Sequence, residues 1–168
     1  TIQDLLRIMG DGEHAVEVTH DDQQVLFTIG DVELVTRLID GSYPDYRKLI
    51  PSTFQTTATL PRSELQNITK VSSLFARESA GSVTVNVSED DKQVSIQSVA
   101  SQLGENTATA SAEVKGEGSI TLNSRYILDA LSVTSDDTVT IGFNGKLEAC
   151  VLKGTDKDYT HIIMPLKS

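Results

Sequence analysis

Three histidines, one cysteine and several adjacent acids are the side chains of this chain that could perform catalytic or metal chemistry. His14, His20 and His161 are scattered over different predicted strands and turns, and the pair Asp136-Asp137 has no base close to it in sequence. The G-x-S-x-G, phosphate-loop, H-E-x-x-H and paired-cysteine motifs are all missing from the sequence. An active site needs several such groups at fixed spacing. We therefore expect no enzyme, no metal site and no cofactor.

Positive charge on one predicted helix is a better candidate for ligand chemistry, because phosphates are bound by clustered Lys and Arg. On a helical wheel of residues 62–79, an arc of roughly 80° contains no carboxylate and holds only basic and uncharged polar residues. These residues are Arg62, Gln66, Lys70, Ser73 and Arg77. The opposite side is apolar and consists of Leu65, Ile68, Val71, Leu74 and Phe75. The simpler alternative is an ordinary amphipathic helix with a basic exposed face.

Composition limits what such a basic face could do. The net charge is −10, with 24 acids against 14 bases, which argues against a protein coated with nucleic acid. The single cysteine, Cys150, lies in the apolar run ACVL and is expected to be buried. One cysteine cannot form an intrachain disulfide, which fits the cytoplasm. No apolar run reaches the roughly 20 residues of a membrane helix, so we expect no membrane partner.

The elements that would position these residues follow one plan three times. Helix-period segments begin near Thr1, Pro61 and Asn123, and Thr1 and Asn123 are suited to cap free amides. Three runs with strand character follow each helix, according to their alternation of apolar and polar residues. These runs are residues 13–19, 24–29 and 32–39, then 82–88, 93–99 and 105–114, and finally 137–143, 147–152 and 159–166. Polar turns at 20–22, 90–92 and 144–146 separate successive runs, and the last contains Asn-Gly, a strong hairpin signal.

One helix on three strands leaves apolar edges, so such units must pair. Copies two and three would form one pseudo-twofold α+β domain, and copy one would be half of a preceding domain. The odd number of copies and the start at Thr1 predict a piece of a longer protein.

Three stretches of the sequence resemble a known family. Residues 41–51 read GSYPDYRKLIP, residues 123–131 read NSRYILDAL, and residues 161–168 read HIIMPLKS. They are similar, in order and spacing, to the interdomain connector, last helix and C-terminal strand of bacterial DNA polymerase III beta subunits. The resemblance implies the DNA-clamp fold, with residues 1–51 as the second half of a middle domain plus connector. It implies that residues 52–168 are a complete C-terminal domain.

The family resemblance implies a processivity factor that encircles duplex DNA as a head-to-tail homodimer. Its helices line the hole, which favours the basic arc of residues 62–77 as DNA-facing; Arg7 and Arg125 are weaker candidates on the other helices. The ring-closing surface would come from Leu74 and Phe75, with Val83 and Val85 on an edge strand. Leu74 could instead belong to the core.

The resemblance also implies a hydrophobic groove for motifs of the DNA polymerase III catalytic subunit, the clamp loader and other replication or repair proteins. The residues carried over are Pro44, Lys48, Leu49, Leu147, Ile162, Ile163, Met164, Pro165, Leu166 and Lys167. Strand neighbours face opposite ways, so one of Ile162 and Ile163 is expected in the core. The competing interpretation of the whole chain is an acidic, β-rich interaction or adhesin module without a DNA function.

Overall fold

The computed structural model describes residues 1–12, 15–101, 104–155 and 159–167. It divides the chain into two compact units, residues 1–44 and residues 45–168. The division falls inside the connector predicted at residues 41–51.

The first unit is one helix and a three-stranded antiparallel sheet in the order β1-β2-β3. Its elements are α1 (Ile2–Met9), β1 (Glu17–His20), β2 (Gln24–Ile29) and β3 (Val32–Arg37). In the predicted strand run 13–19, the strand begins only at Glu17. Glu13 and His14 lie outside the described residues. Thr1 does not cap α1 through its side chain, because its hydroxyl is bonded to Thr36 Oγ1 instead. Ile29 is the one buried apolar residue of the described part of this unit.

The second unit contains two helices and nine strands among its described residues. A 3-10 turn (Tyr46–Lys48) precedes β4 (Thr56–Pro61), α2 (Arg62–Phe75), β5 (Ser82–Ser88), β6 (Gln93–Ala100), β7 (Gly104–Ser111) and β8 (Glu113–Lys115). The remaining elements are β9 (Gly118–Asn123), α3 (Ser124–Val133), β10 (Thr138–Phe143), β11 (Cys150–Lys153) and β12 (Thr160–Ile163). The helix starts predicted near Pro61 and Asn123 are confirmed. Asn123 caps α3 by accepting the Arg125 N–H.

Two antiparallel sheets, ordered β12-β11-β10-β4-β8 and β7-β6-β5-β9, give this unit its pseudo-twofold plan. The strand before each helix pairs with the first strand after the other helix: β4 with β10, and β9 with β5. The last segment of each half returns to the strand before its own helix, since β8 pairs with β4 and the Leu166 N–H donates to Thr121 O on β9. The halves are thus interleaved, and neither is a separate sheet.

The core is a single cluster formed by both helices and the inner faces of both sheets. On β5 the alternation is confirmed, because Val83, Val85 and Val87 are buried while their neighbours are partly exposed. Strands β4 and β9 were not predicted. The predicted run 105–114 breaks at Ala112 into β7 and β8, which belong to different sheets. The predicted run 147–152 becomes a strand only at Cys150.

Candidate functional site

A groove of about 460 Å³ on the second unit brings together residues from the two ends of that unit. Its residues come from the connector, from the loop between β10 and β11, and from the segment after β12. They are Lys48, Leu49, Pro51, Ser52, Thr53, Asn144, Leu147, Glu148, Ala149 and Met164. Four of the predicted groove residues are therefore neighbours in the fold: Lys48, Leu49, Leu147 and Met164.

The connector wall of the groove begins with the 3-10 turn and continues through residues 51–55, which form neither helix nor strand. Asn144 holds this segment from the opposite loop: its Oδ1 accepts the Gln55 N–H at 2.7 Å, and its Nδ2 donates to Thr53 O at 3.0 Å. Gly142 permits a close approach of Phe54, because a Cβ at residue 142 would lie 2.8 Å from the Phe54 ring. The sequence identified the connector but did not reveal these anchors.

The C-terminal segment divides its predicted groove residues between the core and the surface. Ile163 is 2% exposed, belongs to the core cluster and does not line the groove, so the expectation that one isoleucine of the pair is core is confirmed. Met164 is 53% exposed and lines the groove. Ile162, Pro165 and Leu166 are partly buried but do not line it.

Three further predicted residues have different surroundings from those expected. Leu147 lies in a turn and is 69% exposed, although a strand had been predicted there. Lys167 is exposed beyond the groove lining. Pro44 belongs to the first unit. Six lining residues were missed: Pro51, Ser52, Thr53, Asn144, Glu148 and Ala149. Position at the end of the predicted connector, for Pro51, or directly after it, for Ser52 and Thr53, was the one signal that could have identified the first three.

The groove lining contains few charged side chains, and their charges are of opposite sign. Lys48 Nζ lies 3.3 Å from a carboxylate oxygen of Asp45, and Glu148 is exposed in the loop wall. The lysine is largely exposed, so this ion pair adds little stability. Directly after this loop, desolvation raises the pKa of the buried Cys150 thiol to about 12, which keeps the thiol protonated at neutral pH.

His161 on β12 is bonded to Tyr159, with 3.0 Å between Nδ1 and the phenol oxygen. Partial burial lowers the pKa of His161, and the carboxylate of Asp129 acts in the opposite direction. Among the described residues, no cluster of His, Cys, Asp or Glu could hold a metal ion. Within the same residues, no helix is long and apolar enough to cross a membrane.

The predicted basic face of α2 is only partly present. Arg62 donates from Nε to Asp136 O and from Nη1 to Leu131 O. Its guanidinium is therefore hydrogen-bonded to backbone carbonyls near the C-terminal end of α3. Arg77 lies beyond the last helical residue, Phe75, and so it is not part of a helical stripe. Lys70 is exposed on α2, whereas Gln66 and Ser73 are partly buried.

The other predicted DNA-facing residues are exposed arginines with acidic neighbours on their own helices. Arg125 on α3 has Nε 3.9 Å from Asp129, and Arg7 on α1 has Nη1 3.6 Å from Asp4. Both arginine side chains are 81% exposed and available to a ligand.

The predicted ring-closing residues separate into two groups. Val83 and Val85 are core residues on β5, which is paired on both sides by β6 and β9; placing them on an edge strand was wrong. The edge strands of this sheet are β7 and β9, and the segment after β12 adds one hydrogen bond to β9, from the Leu166 N–H to Thr121 O. Leu74 is 51% exposed, so the alternative of a core role is wrong for it, and Phe75 is partly buried. Val71, expected on the buried side, is also exposed, and Thr69 and Ser72 are buried instead.

Two interleaved helix-and-sheet halves with an open groove beside the last strand define a duplicated α+β domain of the clamp type. The family model for the C-terminal domain of the DNA polymerase III beta subunit matches residues 47–167. The model for its central domain matches residues 1–45. The chain belongs to the DNA polymerase III beta subunit family.

Relatives and solved structures agree with this family. The beta sliding clamp of Staphylococcus aureus is 30% identical over 170 residues, which cover 99% of this chain and 45% of the relative. The DNA polymerase sliding clamp of Bacillus subtilis matches with a TM-score of 0.76 and 26% identity, over 99% of this chain and 45% of that one. The beta subunit of Thermotoga maritima matches with a TM-score of 0.71 and 26% identity, over 91% and 42%. The chain thus spans about half the length of its relatives, and the predicted DNA-clamp fold is confirmed.

Proposed function

We propose that this chain is the C-terminal part of a ring-shaped processivity clamp that is not itself an enzyme. Residues 1–51 would complete a middle domain, and residues 52–168 would be the C-terminal domain. Two full-length copies would close head to tail around duplex DNA in the cytoplasm. The ring would tether the DNA polymerase III catalytic subunit, the clamp loader and other replication or repair proteins.

The groove is the observation that supports this proposal most strongly. The connector residues Lys48 and Leu49 and the C-terminal residue Met164 line one open depression with Leu147. Leucine and methionine give an adaptable apolar wall, and a peptide binds such a depression through a few anchor side chains. The groove is open and lacks clustered catalytic groups among its described residues, which suits tethering.

Duplex DNA is the ligand that fits the exposed surface of helices α2 and α3. Helices α2 and α3 pack side by side, and their exposed cations Lys70 and Arg125 can meet phosphates without reading bases. A net charge of −10 makes the rest of the surface repel DNA. Weak attraction limited to a lining, with repulsion elsewhere, favours sliding over static binding.

A second copy of the full-length protein is the partner that fits the edge of the β7 sheet. Among the described strands, β7 pairs only with β6, which leaves one row of its backbone N–H and C=O groups free for strand pairing. Leu74 and Val71 on α2 are exposed apolar side chains, and α2 packs on β7. We therefore assign the ring seam to β7, Leu74 and Phe75 in place of Val83 and Val85.

The decisive experiment compares retention of the protein on circular DNA and on linear DNA. The full-length protein is loaded by its clamp loader onto nicked circular DNA, and half of the sample is then linearised with a restriction enzyme. A ring should stay on the circle at a salt concentration that removes ordinary phosphate contacts, and it should leave the linear DNA through the ends. Equal retention on both forms would mean static binding and would contradict the proposal.

A further inference from the structure

Asn144 is the first residue of the loop that connects β10 to β11, and it contacts the opposite wall of the groove. Its Oδ1 accepts the Gln55 N–H at 2.7 Å, while its Nδ2 donates to Thr53 O at 3.0 Å. The same loop continues into Leu147 and Glu148, which line the groove from the other side. One side chain therefore connects the two walls.

Turn geometry does not explain an asparagine at this position. An Asn-Gly hairpin turn of type I′ needs positive φ at both residues. Neither Asn144 nor Gly145 has a positive φ, and six residues separate β10 from β11. The amide explains it better, because asparagine offers a donor and an acceptor on one short side chain. Aspartate lacks the donor, and alanine lacks both groups.

We propose that Asn144 is a positioning residue that fixes the spacing between the connector wall and the loop wall of the groove. This inference rests on the proposed function of the groove as a peptide site. Without the amide, residues 51–55 lose their hydrogen-bonded link to the loop, and a peptide must order them as it binds. That ordering weakens binding, and mainly raises the dissociation rate.

The fold itself should not depend on Asn144. Phe54 packs against the Cα of Gly142, and β4 begins one residue after Gln55 with a six-residue pairing to β10. Phe54, which lies between the two hydrogen-bonded residues, and Thr56, which follows them, are thus held independently of Asn144. A loss of the amide should loosen the connector wall and leave the core intact.

The test uses the full-length protein and a fluorescein-labelled peptide from the DNA polymerase III catalytic subunit. Asn144→Ala should weaken peptide binding about tenfold, equal to about 1.4 kcal/mol. It should also speed hydrogen exchange at the Gln55 amide and leave the melting temperature near that of the wild type. Asn86→Ala is the matched control, because within the described part of the chain the Asn86 amide bonds only to Gln97, on the outer face of a sheet, at 3.2 Å. The control should bind as the wild type does.

Asn144→Asp separates the two hydrogen bonds. The carboxylate keeps an acceptor for the Gln55 N–H but places an oxygen against Thr53 O. We expect slow exchange at Gln55 to persist while peptide affinity still falls. Wild-type affinity in both Asn144 variants would overturn this inference and leave the groove's function standing. Absence of peptide binding in the wild type would instead overturn the proposed function, and this inference with it.

Discussion

Alanine replacements of Leu74 and Val85 should separate assembly of the ring from stability of the domain. Sequence resemblance assigned both side chains to the ring seam. In the structure Leu74 is 51% exposed on α2, whereas Val85 is 0% exposed on a central strand. We expect Leu74→Ala to weaken the dimer and Val85→Ala to weaken the fold.

For Val85→Ala the expected loss of stability follows from burial. The change removes two methyl groups from the core at about 0.8 kcal/mol each and leaves a small cavity, a total of about 2–3 kcal/mol. A loss of this size should lower the melting temperature by roughly 5–10 °C in a domain of this length. Because Val85 faces the core, dimerisation of the folded protein should be unchanged.

For Leu74→Ala the expected effect is on assembly. Full burial of a leucine side chain contributes about 1.5–3 kcal/mol, and about half of the Leu74 side chain is left for a partner to cover, which is about 1 kcal/mol per seam. A head-to-tail ring of two chains has two seams, so the loss doubles to about 2 kcal/mol. The dimer dissociation constant should then rise roughly 30-fold.

Sedimentation velocity over a concentration series measures the dimer constant, and calorimetry above that constant measures the melting temperature. Wild-type dimer affinity in Leu74→Ala would refute the assignment of the seam. A weaker dimer with an unchanged melting temperature in Val85→Ala would refute the placement of β5 in the core.

Three other predictions concern the remaining surfaces. Lys70→Glu combined with Arg125→Glu should lower the salt dependence of DNA binding by about two units of log–log slope, because each lost phosphate contact removes about one; an unchanged slope in a DNA-binding assay would remove both from the lining. Met164→Ala should weaken peptide binding about fivefold, since a peptide can bury about half of this side chain, worth about 1 kcal/mol. The exposed Val133→Ala on α3 is its control, and equal affinities in a titration would contradict the groove. Cys150 should resist a thiol reagent at pH 8, where a thiol with a pKa of about 12 stays protonated, and should react only after denaturation; rapid labelling of the native protein would contradict its burial.

The sequence determined the features that depend on neighbours along the chain. Apolar alternation predicted β5 to the residue, and the cap at Asn123 predicted where α3 begins. Both signals are local, because side-chain alternation follows from strand geometry and a cap needs only the next turn. The three stretches that resemble the beta subunit family lie close to the connector, the last helix and the C-terminal strand, and so they also located two of the three segments that line the candidate groove, but not the loop between β10 and β11.

Only the tertiary structure decided which strands are neighbours and which polar groups find partners. Alternation shows which way Val83 and Val85 point, but it cannot show that β5 lies between β6 and β9 while β7 is an edge strand. A helical wheel places Arg62 on a polar face, yet its guanidinium is bonded to carbonyls near the end of α3 and in the segment between α3 and β10. Asn144 looked like a turn residue and instead bridges to Thr53 and Gln55. These contacts join positions about 70 to 90 residues apart, and no periodicity along a chain carries information over that distance.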